Sequence, residues 1–223
     1  VHAALKSEEV VVSEKVVCRI MKEEGLIAKR PGKRKHGSCK GEIGEAPENI
    51  AKRDFRADGP NRLWLTDITE FSIPAGKACL SPIIDCLDGM CVAWTQSTSP
   101  NAELVNSMPD AAASKLPEGE HPVSHSDRGR HYRWPGWIER CKRYGIMRPM
   151  SKKGCSPDNS AMERFFGRLK VEFFYGRDWS GWSTHGFMDA LDEYIHWYNE
   201  ERIELSLGGM SPMRYRRSLG LAA

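Results

Sequence analysis

Apolar and polar positions are mixed along "NRLWLTDITEF" (61–71), which reads as a β-strand, and the two-residue period of a strand puts Leu63, Leu65, Asp67, Thr69 and Phe71 on one face. Two further strands are predicted in "KACLSPIIDCLDGMCVAWTQS" (77–97), joined by a turn at Asp88-Gly89, and three strands so connected make an antiparallel meander. "NAELVNSMPDAAASKL" (101–116) is helical in composition, with Pro109 expected to kink or split it. "HPVSHSD" gives a short fourth strand, "WPGWIERCKRYG" a helix and "IMRPMS" a fifth strand. The order β-β-β-α-β-α-β, followed by helices, predicts a mixed α/β layer architecture whose later strands are placed by helical crossovers.

The strongest helix lies in "CSPDNSAMERFFGRLKVEFF". Ser156 is placed to cap it, Pro157 suits its first position, and Met162, Phe165, Phe166, Leu169 and Phe173 recur at helical spacing. With residues about 100° apart, Asn159, Glu163 and Lys170 fall along one edge of that stripe, which puts Glu163 at the border of the core. A second amphipathic helix over 184–202 presents Phe187, Leu191, Tyr194 and Tyr198 on one face. The first 30 or so residues also read as helical: Ser13 caps, Val17, Ile20 and Met21 form a stripe, and Gly25 ends it. Such a basic helix serves equally well for recognition or for packing.

At 223 residues and 25.2 kDa the chain is long enough for one sizeable core and a small appendage. No apolar run approaches the roughly 20 residues of a membrane span, and "VHAALKSEEVVV" lacks the pattern of a secretory signal. No membrane partner is expected, and the location expected is the cytoplasm. The seven cysteines are odd in number and contain no C-x-x-C pair, which argues against a disulfide framework and against structural zinc. His121, His125 and His131 lack paired cysteines at finger spacing and read as surface or turn residues.

The net charge of +3 conceals an uneven distribution. From Arg128 to Arg177 there are 13 Lys or Arg against 4 Asp or Glu. This basic stretch is interleaved with Tyr132, Trp134, Trp137, Tyr144, Phe165 and Phe166, as a phosphate-contacting surface requires. A second cluster, "KRPGKRKHGSCK" (29–40), reads as a basic linker able to touch nucleic acid. Trp64, Trp94, Trp179, Trp182 and Trp197 read as core or interface residues, while Trp134 and Trp137 fit either a core or a base-stacking role. Asp85 and Asp88 read as strand-end and turn residues.

Three carboxylates are candidates for chemistry. Asp67 stands among apolar neighbours on its strand face, where it needs compensation unless the strand end already reaches solvent. Asp127, in "VSHSDRGRHY", follows the fourth strand and is either a polar turn residue or part of a site. Glu163 lies on the best-anchored helix. Brought together, they would form a hard oxygen site for Mg²⁺ or Mn²⁺. Two ions about 4 Å apart activate an attacking oxygen and stabilise a leaving oxygen in phosphodiester chemistry.

The blocks "WLTDITEF", "HSDRGRHY" and "SPDNSAMERFFGRLKVEFF", with 35 residues between the last two acids, resemble the DDE catalytic core of retroviral integrases and insertion-sequence transposases. The nearest resemblance is to second-frame transposases of the IS-three family. "SEKVVCRIMKEEGLIAKR" is similar to the end of that family's helix-turn-helix segment, and "YNEERIELSLGGMSPMRYRR" to its C-terminal block.

The resemblance implies a ribonuclease H-like mixed five-stranded sheet flanked by helices. It divides the chain into a partial helix-turn-helix segment (1–30), a basic linker (31–58), an integrase-type core (59–175) and a C-terminal helical extension (176–223). It assigns Asp67, Asp127 and Glu163 as catalytic metal ligands for two Mg²⁺ or Mn²⁺ ions, and Lys170 as a DNA contact near the reacting end. Asn159 is read as helix-start support or a substrate contact, with Arg128, Arg130, Lys152, Lys153 and Arg168 completing the expected DNA surface. The implied activity is metal-dependent DNA cleavage and strand transfer on element ends and target, by a homo-oligomer on DNA together with an upstream-frame protein. The chain is expected to begin inside the helix-turn-helix segment. Two other readings are a DNA-binding fragment without turnover, acting at element ends or in mixed oligomers, and a ribonuclease H-like nuclease that uses water alone.

Overall fold

The computed structural model describes residues 1–26, 57–126, 132, 134–147 and 160–221. The chain divides into two compact units, residues 39–195 and residues 1–38 with 196–223.

The larger unit is built on a mixed five-stranded sheet. Strands β1 (Leu63–Thr66) and β2 (Thr69–Ile73) both pair antiparallel with β3 (Gly76–Asp85), which pairs on its other side with β4 (Cys91–Ser97). This is the expected meander, except that the strand over 61–71 is interrupted at Asp67 and Ile68. The turn falls where predicted: Gly89 has φ +77° and Asp88 Oδ1 accepts from Met90 N at 2.9 Å. Strand β5 (Val123–Ser126) lies parallel to β1 on the far side from β3. Met147 then forms a parallel bridge to Val123, which marks the expected fifth-strand position; the rest of "IMRPMS" lies outside the described residues.

Alternation along β1 and β2 sends side chains to two helical layers. Trp64 and Thr66 face α3 (Ala102–Ala113) and α4 (Pro135–Arg143), in a core that includes Met108, Tyr132, Trp137 and Cys141. Pro109 lies inside α3 without splitting it, contrary to expectation. A helix-interior proline costs about 3 kcal/mol. Leu104, Val105 and Met108 on the same helix are all buried, and each such side chain contributes roughly 1.5–3 kcal/mol, so packing outweighs the break. Asp110 fastens α4 to α3 by accepting from Arg140 Nε and Tyr144 OH, both at 2.8 Å.

The opposite face meets α5 (Ser160–Leu169), the π-helical turn Lys170–Phe174 that continues it, and α6 (Thr184–Glu200) as far as Ile195. Phe71 of β2 lies 5.2 Å from Phe174 and 5.5 Å from Phe187, ring centre to ring centre. The helical stripe is buried as its spacing requires: Met162, Phe165, Leu169 and Phe173 are inaccessible and Phe166 is half-buried. The caps proposed for this helix, Ser156 and Pro157, lie outside the described residues. Trp94 Nε1 donates to Asp192 Oδ1 at 2.6 Å and Gln96 Nε2 to Met188 O at 3.1 Å, which pins α6 to β4.

In the smaller unit, α1 (His2–Ser7) and α2 (Glu14–Glu23) replace the single helical stretch expected. Ser13 caps α2, its Oγ accepting from Val16 N at 3.4 Å, and Gly25 ends it at φ +66°. Val17 is buried but Ile20 is 46% exposed, so the predicted stripe is only partly covered. The C-terminal segment folds around Glu204, which ion-pairs with Arg202, and ends in α7 (Pro212–Ser218), capped by Ser211. Among the described residues no helix is long and apolar enough to cross a membrane.

Candidate active site

Asp67 follows the last residue of β1, half-buried, with Oδ1 accepting from Ile68 N at 2.8 Å. By alternation it shares a face with Leu65, Thr69 and Phe71, the face that α5 and the π turn cover. Strand β5 brings a second segment to the same sheet edge. The parallel register pairs Leu65 with His125 and ends with Thr66 beside Ser126. Those two residues immediately precede Asp67 and Asp127 in the sequence. Asp127 itself, with Arg128 and Arg130, lies outside the described residues.

Glu163 is exposed on the first turn of α5, and α5 packs on β1. Its neighbours Met162 and Phe165 are buried, which fixes the helix face and leaves Glu163 at the rim of the core. The π turn begins only at Lys170, so the seven-residue step from Glu163 runs through α-helix and leaves the two about 20° apart around the axis. Lys170 Nζ lies 5.9 Å from the centre of the Phe71 ring, on the strand that continues from Asp67. Backbone Tyr175 N donates to Lys170 O at 2.6 Å, the wider bond of the π turn. Arg168 is half-buried on the same helix; Asn159, Lys152 and Lys153 lie outside the described residues.

Among the described residues no three His, Cys, Asp or Glu side chains converge into a metal-binding group. Asp67 and Glu163 are two of the three acids expected, and their carboxylates suit a hard divalent cation. The histidines do not change that chemistry: His125 is buried on β5 and His121 is exposed.

Several aromatics interleaved with the basic segment lie in the core rather than on a phosphate-contacting surface. Tyr132, Trp137 and Phe165 are buried, and Tyr132 packs edge-on against Trp137 at 5.3 Å. Tyr132 and Trp137 belong to the core beside Trp64 and Ile83, and Phe165 is buried because it lies on the apolar stripe of α5. Sequence reasoning missed Thr66, whose Oγ1 lies 3.4 Å from Tyr132 OH in a buried contact. This ties the residue before Asp67 to the segment after Asp127, and only the shared position of Thr66 and Asp67 at a strand end hinted at it. Of the remaining tryptophans, Trp64 and Trp179 are buried, whereas Trp182 and Trp197 are each 42% exposed.

Residues 57–156 match the family model described as "Integrase core domain", and residues 163–219 match a second model of the same description. A transposase-like protein of Haemophilus influenzae is 42% identical over 94% of this chain and 95% of its own length. The chain belongs to the integrase-core family of insertion-sequence transposases. A Shigella flexneri relative described as "Probable transposase for insertion sequence element IS1353" is 53% identical over 99% of this chain, which spans 43% of that protein's length. The transposase InsF of insertion sequence IS3A from Escherichia coli is 29% identical over 95% of this chain and 73% of its own length. Two solved structures share the ribonuclease H-like fold of this integrase-core chain. One is the simian T-cell lymphotropic virus intasome with a PP2A regulatory subunit, at TM-score 0.56 and 17% identity, covering 91% of this chain and 69% of that one. The other is the HTLV-2 integrase catalytic core domain with magnesium, in a dimeric form, at TM-score 0.50 and 16% identity, covering 70% of this chain and 95% of that one.

Proposed function

We infer that this chain is the catalytic part of an insertion-sequence transposase that cuts and joins DNA with a divalent cation, and that it belongs to the IS-three group. The observation that carries this reading is the β1–β5 register, whose last pair, Thr66 and Ser126, stands immediately before Asp67 and Asp127. The packing of α5 on β1 supports Glu163 as the third acid. Asp67, Asp127 and Glu163 would together hold Mg²⁺ or Mn²⁺, two ions in the full site, supplying Lewis-acid activation of the attacking and leaving oxygens. Lys170 takes the DNA end through its phosphates, and Arg168 on the same helix, Asn159, Arg128, Arg130, Lys152 and Lys153 extend that contact. In the first step water adds to a phosphodiester at the element end and a 3′-hydroxyl leaves. In the second that hydroxyl adds to a target phosphorus, forming one P–O bond as the target's own P–O3′ bond breaks.

The partners are the two element ends, the target, a second copy of the chain on paired ends, and the upstream-frame protein. The division into residues 1–30, 31–58, 59–175 and 176–223 accompanies this reading, with the first segment serving end recognition and the bacterial nucleoid as the place of action.

A joining assay tests it, using labelled DNA from the sequence flanking the gene and a plasmid target, with Mg²⁺ or Mn²⁺. The native chain should give joined product, and Glu163→Gln should lower its yield by about 10³-fold, the equivalent of roughly 4 kcal/mol of transition-state stabilisation, with DNA affinity retained. Equal joining by Glu163→Gln would overturn the assignment.

A further inference from the structure

The interruption between β1 and β2 is not a change of register. Thr66 pairs with Ile83 and Thr69 with Leu80, so one register runs through both strands and, carried across the gap, sets Asp67 opposite Pro82 and Ile68 opposite Ser81. Cys86 N donates to Leu63 O at 2.9 Å. Donors along a strand alternate between its two neighbours, so positions 84, 82 and 80 of β3 also turn toward β1 and β2. At position 82 the residue is proline, which has no N–H. An antiparallel ladder needs that N–H for both missing pairs, and these two pairs are the whole of the gap. Proline in a sheet is ordinarily confined to edge strands. Pro82 is instead buried in a strand paired on both sides.

We propose that Pro82 is a positioning residue for Asp67: by withholding one ladder hydrogen bond at the sheet's centre, it lets the Asp67–Ile68 peptide leave the regular pleat and aims the carboxylate at the divalent cation. The carboxylate hydrogen bond to Ile68 N, at 2.8 Å, belongs to that local geometry. Asp67 and Pro82 occupy facing positions of one register, so the pyrrolidine ring and the carboxylate share a face of the sheet. The proposal rests on Asp67 being a metal ligand.

Pro82→Val keeps the bulk of the ring, favours a strand and restores the donor. In the full-length chain the restored amide of residue 82 should be protected from hydrogen exchange. Its metal-free melting temperature should stay close to that of the native chain, because the added ladder bond and the loss of proline's restraint on the unfolded chain oppose each other. The Mn²⁺ concentration giving half of the metal-induced rise in melting temperature should increase about tenfold, as for loss of a group that orients a ligand. A protected amide with an unchanged Mn²⁺ midpoint would overturn the proposal, as would an amide at position 82 that exchanges freely. Pro82→Ala supplies the same donor without the bulk, and a large fall in metal-free melting temperature in both variants would also overturn it. Asp67→Asn separates the two ideas. If it keeps the native Mn²⁺ response, Asp67 is no ligand and both fail; if it abolishes the response while Pro82→Val leaves it intact, only the positioning role fails.

Discussion

Two aspartates stand at opposite ends of β1, and conservative amidation should affect them in opposite ways. Asp85, at the end of β3 and paired with Trp64, is fully buried. Its Oδ2 accepts from Asn61 N at 2.8 Å and its Oδ1 from Leu87 N at 3.0 Å. Asn61 is held at φ +54° and in turn accepts from Trp64 Nε1 at 3.2 Å and donates to Glu120 Oε2 at 2.7 Å. Asp85→Asn keeps the shape but offers a single acceptor oxygen, so one of the two backbone donors meets an NH₂ group instead. Leaving a buried donor unsatisfied costs about 1–3 kcal/mol. At about 2–4 °C per kcal/mol for a chain of this size, a loss of about 2 kcal/mol lowers the melting temperature by roughly 4–8 °C. Asp67 is three strand residues beyond Trp64, roughly 10 Å away, so the Mn²⁺ midpoint of Asp85→Asn should match that of the native chain. Urea unfolding gives the stability and Mn²⁺-dependent melting the metal response. A stability change below about 0.5 kcal/mol, the range of ordinary surface substitutions, would refute the anchoring role. A lost Mn²⁺ response in a folded variant would refute the separation of the two ends.

Cysteine chemistry gives a second check. Cys18 is exposed, while Cys79, Cys91 and Cys141 are buried, and burial pushes the half-buried Cys86 thiol up to about 12 from its ordinary 9.0. Mass mapping after alkylation near neutral pH should find Cys18 modified well ahead of those four. Because the Cys86 thiol ionises more readily in the unfolded chain, its contribution to stability is complete below pH 9.0 and is lost as pH rises toward about 12; Cys86→Ser should flatten that alkaline fall in urea-unfolding stability. Asp110→Ala removes the acceptor for both Arg140 and Tyr144. It should lower stability by about 1–2 kcal/mol and speed amide exchange in α4 first.

The strands and helices that carry a clean period were legible in the sequence. Met162, Phe165, Leu169 and Phe173 could be placed from spacing alone, and so could the face shared by Leu65, Asp67 and Phe71. What spacing could not supply was the effect of partners. Pro109 reads as a helix breaker because its own chemistry is local, whereas the burial that holds α3 together comes from β3 and β4. Tyr132 and Trp137 sit in a basic segment and so resemble a stacking surface, yet their depth depends on how α4 docks. The β1–β5 register, which supports the candidate site, joins segments remote in sequence and has no local signature. Pro82 did carry a readable signal, since proline in a predicted central strand is unusual, but its partner could be named only once the register was known.

The topology also orders events in time. Strands β1 to β4 pair with near neighbours and are all present once Ser97 has emerged, whereas Val123 of β5 must find Leu63 from 60 residues away. Pairings across long loops form late, because closing the loop costs entropy before any contact repays it. A growing chain therefore carries a four-stranded sheet with one edge of β1 unpaired until β5 is made, and a ribosome-bound fragment ending before Val123 holds Asp67 but neither Asp127 nor Glu163.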